Sequence, residues 1–118
     1  MATVELTERA ETPVNVLAYG EKRRLEIGIA LATGPNVLLL DEPLAGMSPT
    51  ERISTRALIR EIGRSRTLLI VEHDMSVVFG LADRISVLVY GEIIASGTPE
   101  EIRGNPIVRE AYLGEEVA

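Results

Sequence analysis

An α/β fold with a mostly parallel sheet is what this 118-residue sequence predicts. Two short apolar runs, Val37–Leu40 and Thr67–Val71, each end in charged residues, as strands do when they are buried on both faces and open to solvent at their carboxyl ends. Around them lie segments whose apolar residues recur at helical spacing, and the alternation of the two patterns marks a layered α/β domain. The length suits one compact domain.

The elements follow in order. After Tyr19-Gly20, residues Leu25, Gly28, Ile29 and Ala32 form an apolar helical stripe that Gly34-Pro35 ends. The strand Val37–Leu40 comes next. Ser48-Pro49-Thr50-Glu51 is a capping box with proline in the first helical position, so a helix is expected over 49–62, with Ile53, Ala57, Leu58 and Ile62 on its buried face. The second strand ends at Glu72-His73-Asp74, and Asp74 is placed to cap a helix running to about Gly80. Ile85–Tyr90 and Ile93–Ala95 flank Gly91 as a hairpin, Thr98-Pro99-Glu100-Glu101 opens a short helix, and a last helix runs from Asn105-Pro106 to Leu113, closing at Gly114.

Composition narrows the function classes. A hydrophobic share of 46% supplies a core, and because aromatics are only 3% that core is built from Leu, Ile, Val and Ala. A net charge of -6, with Lys22-Arg23-Arg24 as the one basic cluster, leaves no electrostatic footprint for nucleic acid. The apolar runs fall far short of the roughly 20 residues that span a bilayer, and no signal-peptide core is visible at the start. Without Cys, and with a single His, there is no disulfide, no thiolate and no zinc signature; a cytosolic location fits.

The chemistry is expected at the strand ends, where open α/β sheets bind ligands. Asp41 and Glu42 follow the first strand. One of two adjacent acids there can contact Mg²⁺, directly or through water, and the other can polarise a water molecule, which suits Asp41 to the metal and Glu42 to the base. The plainer reading is that two acids mark the strand's exit to solvent. His73 follows the second strand, so it can sit beside Glu42, and a neutral imidazole there can donate to a phosphate oxygen; alone, it would pass for a surface histidine. Leu17-Ala18-Tyr19-Gly20-Glu21 places a glycine at a helix start, where free N–H groups and the helix dipole attract anions, although an ordinary helix start has the same look.

In order, Leu17–Glu21, Val37–Pro43, Leu44-Ala45-Gly46-Met47-Ser48 and Glu72-His73-Asp74 resemble the signature, Walker B, D-loop and H-loop of ABC transporter ATPases. The likeness extends over essentially the whole chain, through Tyr90-Gly91-Glu92, Gly97–Ile102 and Glu110-Ala111-Tyr112-Leu113-Gly114. Within that family it leans towards the branched-chain amino acid importers on Tyr19–Ile27, Ala45-Gly46-Met47 and Ala111–Gly114, some of which the urea-type importers share.

The resemblance implies the C-terminal part of a P-loop NTPase three-layer fold with a mostly parallel sheet, lacking the Walker A strand and loop. Residues 1–34 would end a helical subdomain carrying the signature, 35–96 would hold the Walker B, D-loop and H-loop core, and 97–118 would be C-terminal helices. It implies ATP and Mg²⁺ as ligands, Asp41 near the metal, Glu42 as base or water positioner and His73 as the sensor of the γ-phosphate. Leu17, Ala18, Tyr19, Gly20 and Glu21 would contact ATP held by a second ATPase subunit in a head-to-tail dimer. Transmembrane permease subunits would hold the assembly at the inner face of the membrane.

Two substitutions depart from the pattern: Ala18 stands where the signature has serine, and Ser48 where the D-loop has aspartate, the latter explained by its helix-capping role. No G-x-x-x-x-G-K-[ST] occurs in the chain. A P-loop-bearing segment is therefore an implied partner, and the chain alone is expected to be inactive as an ATPase. In the family sheet the P-loop strand lies beside the His-loop strand, so Thr67–Val71 is expected to present an open edge. Two other readings stay open: a non-catalytic module that pairs with a P-loop chain or regulates an intact subunit, and a truncated product without independent activity.

Overall fold

The computed structural model describes Val4 and residues 6–113. The chain divides into two compact units, Met1–His73 and Asp74–Ala118.

In the first unit, 3₁₀ turns at Thr7–Arg9 and Val14–Val16 lead into α1 (Tyr19–Leu31), followed by β1 (Val37–Asp41), α2 (Pro49–Gly63) and β2 (Thr67–Val71). The strands pair in parallel, with Val37 opposite Thr67 and Asp41 opposite Val71. Parallel neighbours need a crossover connection, and α2 supplies it. Its start is the expected capping box: Ser48 Oγ accepts the Glu51 N–H at 3.2 Å, and Pro49 occupies the first helical position.

Three details of the expected packing are corrected. The buried face of α2 is Thr55, Leu58, Ile59 and Ile62, whereas Ile53 is 73% exposed and Ala57 is also exposed. Both sets follow helical spacing, and the sheet and α1 select between them. On α1, Ile27 is buried while Ile29 faces solvent. The strands are not buried on both faces either. Leu38 and Leu40 are buried, but Val37, Leu39, Leu69 and Val71 are exposed, because the helices of this unit cover one face of the two-stranded sheet.

The second unit contains α3 (Met75–Leu81), β3 (Ile85–Val89), β4 (Glu92–Gly97), α4 (Pro99–Arg103) and α5 (Pro106–Val108), which runs into a π-helical turn at Arg109–Leu113. Asp74 caps α3 by accepting the Ser76 N–H at 3.0 Å, and Thr98 caps α4 by accepting that of Glu101 at 3.3 Å. β3 and β4 are antiparallel around Tyr90-Gly91, whose positive φ values of 49° and 79° are those a two-residue hairpin turn demands. Ile85, Ile102 and Val108 centre the core of this unit, with Phe79 and Val87 packed against them. Gly114, expected to close the last helix, lies outside the described residues.

Candidate active site at the carboxyl ends of the parallel strands

The parallel register decides what meets at the sheet edge. Asp41 pairs with Val71, and the Glu42 N–H donates to the Val71 carbonyl at 2.8 Å, so the ladder runs one residue beyond β1. Glu42 then takes φ 44°, a left-handed conformation that costs a non-glycine residue roughly 1–2 kcal/mol. The neighbours hold it there. Arg23 on α1 donates to the Glu42 carbonyl at 3.0 Å and to that of Asp41 at 3.3 Å, Pro43 and Leu44 are buried, and Arg52 on α2 donates to the Leu44 carbonyl at 3.2 Å.

Across the edge, His73 Nδ1 lies 2.5 Å from Glu42 Oε1. The predicted juxtaposition of Glu42 and His73 is therefore present. If Nδ1 donates to the carboxylate, a neutral ring has only a lone pair at Nε2, and the ring donates from Nε2 as well only when doubly protonated. The neutral donor expected from the sequence is incompatible with this hydrogen bond unless Glu42 carries the proton. Glu72, to which its place in the sequence assigns no role, lies beside the pair. Its Oε1 is 3.6 Å from Nδ1, and its side chain is only 5% exposed.

Asp41 does not join that cluster. It is exposed and follows the alternation of β1 on the side opposite Leu40. An exposed hard oxygen donor of this kind fits Mg²⁺, which keeps one or two carboxylates and takes its remaining ligands from phosphates and water.

At the start of α1, Leu17 and Gly20 are buried while Ala18 and Tyr19 are exposed. Ala18 sits at the N-cap without a side-chain acceptor, and Glu21 compensates by taking the Ala18 N–H on Oε1 at 2.9 Å. That bond, with the ion pair from Arg9 at 2.8 Å, holds the Glu21 carboxyl below its usual range. Gly20 has a packing reason that its sequence position did not reveal: a Cβ there would stand 1.7 Å from Glu51 Oε2. The Tyr19 ring lies against Gly46, whose φ is 77°. The helix start thus has no side-chain cap from Ala18 on its N–H groups, which leaves it the polarity that attracts an anion, but among the described residues it offers no lysine-bearing phosphate cradle. Local spacing does not encode the Arg23 bond to Glu42, 19 residues away, or the seat of the Glu51 carboxylate against Gly20, 31 residues away.

Comparison with known proteins places this geometry in a family. Residues 1–45 match the family model described as ABC transporter, and residues 92–118 match that described as branched-chain amino acid ATP-binding cassette transporter. The high-affinity branched-chain amino acid transport ATP-binding protein LivG of Salmonella typhimurium is 48% identical over 95% of this chain and 45% of its own length. BraF of Pseudomonas aeruginosa, of the same description, is 47% identical with the same coverage. The chain thus spans about half the length of these curated relatives. Among solved structures, the ADP conformation of MJ1267, an ATP-binding cassette of an ABC transporter, superposes with a TM-score of 0.83 at 30% identity over 96% of this chain and 46% of that one. The chain belongs to the ABC transporter ATPases and has the fold of part of their P-loop NTPase cassette.

Proposed function

We propose that this chain is the signature, Walker B and H-loop half of the ATP-hydrolysing subunit of an importer for branched-chain amino acids. The observation that carries the reading is the contact between Glu42 and His73 at the ends of neighbouring parallel strands. Relatives whose names specify branched-chain amino acid transport support the cargo.

In the assembled enzyme, Glu42 orients a water molecule and takes its proton as the water oxygen bonds to the γ-phosphorus and the bond to the ADP oxygen breaks. His73, held through Nδ1 by Glu42, directs Nε2 at the γ-phosphate when the ring is doubly protonated. Asp41 would hold Mg²⁺, which neutralises charge on the phosphate oxygens. Leu17–Glu21 would close over a nucleotide held by the opposing subunit, with Gly20 and the N–H groups of α1 serving in the absence of a hydroxyl at Ala18. The partners are a second ATPase subunit, a P-loop-bearing segment and transmembrane permeases. Among the described residues no helix is long and apolar enough to cross a membrane, which agrees with attachment at the cytoplasmic face through those permeases.

The test is calorimetry of the chain with MgATP. A helix terminus contributes up to ~2 kcal/mol towards anion binding, whereas a micromolar complex requires about 8 kcal/mol. The unaided chain is expected neither to bind MgATP tightly nor to hydrolyse it, and a polypeptide supplying the P-loop strand and lysine should restore binding. Micromolar affinity without that polypeptide would overturn the half-site reading.

A further inference from the structure

The outer side of α2 carries a row of positive charge that the ATPase reading does not use. Arg52, Arg56, Arg60 and Arg64 follow one another at four-residue intervals, and Arg64, the C-cap residue, is still helical in conformation. At about 100° and 1.5 Å per residue, the four fall within an arc of roughly 120° and along about 18 Å of the helix axis. Ile53 falls inside that arc, whereas Glu51 and Glu61, the two acids of α2, fall outside it. Like charges four residues apart destabilise a helix, so a chain of net charge -6 maintains here a face that is unfavourable to itself. Ile53, 73% exposed, is the one large apolar side chain that α2 turns outward. Pro49, Arg52, Ile53 and Arg56 line a shallow groove of about 310 Å³ beside it.

We infer that this face docks an acidic helix of a partner protein, with carboxylates at four-residue intervals on Arg56, Arg60 and Arg64 and an apolar side chain in the groove at Ile53. Two helices have the same rise, so acids spaced by four residues stay in step with the arginine row. A guanidinium holds a carboxylate through two parallel N–H bonds. Arg52 frames the groove while donating to the Leu44 carbonyl. Arg56 and Arg60 also have interactions within the chain, and Arg64 pairs with Glu61 at 2.9 Å, both side chains being largely exposed. With five N–H donors, a guanidinium keeps such a partner and still binds a second acceptor. A nucleic acid fits less well, because this face has no aromatic ring for a base to stack on and the net charge repels a polyanion. A membrane surface also fits less well: α2 packs Leu58, Ile59 and Ile62 into its own core, which leaves Ile53 alone to enter lipid. The face requires neither a P-loop nor a nucleotide, so it stands or falls separately from the ATPase reading.

The test uses the 118-residue chain without nucleotide. The probe is an alanine-based helical peptide with glutamate at every fourth position and a leucine beside the central one, compared with a scrambled peptide of the same composition. In an NMR titration the patterned peptide should shift the Ile53 methyl signals, and the scrambled peptide should bind about tenfold more weakly. Arg56→Glu combined with Arg60→Glu should weaken binding at least about tenfold, and added salt should weaken it in the parent. Arg84→Glu combined with Arg109→Glu changes the net charge equally at exposed positions of the second unit and should alter binding less than about twofold. The inference is overturned if the Ile53 signals stay unmoved, if the two peptides bind alike, if the two double variants lose affinity equally, or if vesicles rich in phosphatidylserine bind the chain and the patterned peptide does not. The Ile53 readout in the parent does not depend on any variant folding.

Discussion

Glu51 Oε2 occupies the space that a Cβ on Gly20 would fill, with 1.7 Å between the two positions. The carboxylate oxygen is buried, and among the described residues it has no hydrogen-bond partner. The N-terminus of α1 and that of α2 are therefore fitted to each other through one absent methyl group. Gly20→Ala should force Glu51 into another rotamer and strip the α2 capping box of its glutamate. The expected loss is about 1–2 kcal/mol, read by urea or thermal unfolding. In a Glu51→Ala background the same change should cost less by at least about 0.5 kcal/mol, because the obstructing side chain is gone. Additive effects would show that the two residues do not share this space.

Glu21 makes the stability of α1 depend on pH. Its carboxyl is held below the ordinary value of 4.5 by the Ala18 N–H and by Arg9, so the folded state favours the ionised form. The contribution is fully present above the unfolded value and is lost as pH falls through the lowered folded value. A stability difference between the parent and Glu21→Gln should therefore be constant near neutral pH and shrink below about pH 4. A difference that does not change with pH would rule out the ionised cap.

Within an assembled ATPase, Glu42→Gln should leave nucleotide affinity nearly intact and slow hydrolysis by about 10²–10⁴-fold, since it removes the proposed base without disturbing the phosphate cradle. His73→Ala should also reduce turnover more than binding. Undiminished hydrolysis by either variant, measured as phosphate release under saturating MgATP, would refute that residue's role.

Val37, Leu39, Leu69 and Val71 present an apolar stripe on the uncovered face of the parallel pair, each between 55% and 69% exposed. A patch of this kind promotes association. The chain should bind a dye for apolar surface and elute from a sizing column larger than its 12.8 kDa. Leu39→Lys should weaken both effects at little cost in stability, because that side chain gives up almost no buried area. A dye-silent monomer would contradict the expectation.

Much of the fold was legible because it rests on local chemistry. The capping boxes at Ser48 and Thr98, the Asp74 cap, the strands at Val37 and Thr67 and the turn at Tyr90-Gly91 each depend on residues a few positions apart. The faces of the helices were less legible. Ile53 and Ile59 both satisfy a helical stripe in α2, and only the neighbouring elements distinguish the exposed one from the buried one.

By itself the sequence determined the order of helices and strands, the acids and the histidine at the strand ends, and the family these motifs mark. Tertiary structure alone decided that Glu42 turns into the left-handed region and meets His73, that the Glu72 carboxylate lies beside that pair, and that Arg23 anchors the carbonyls of Asp41 and Glu42. The physical reason is range. Caps and turns are closed by atoms within one helical turn, whereas these contacts span 18 to 31 residues and exist only once the parallel register of β1 and β2 has set which strand ends stand side by side.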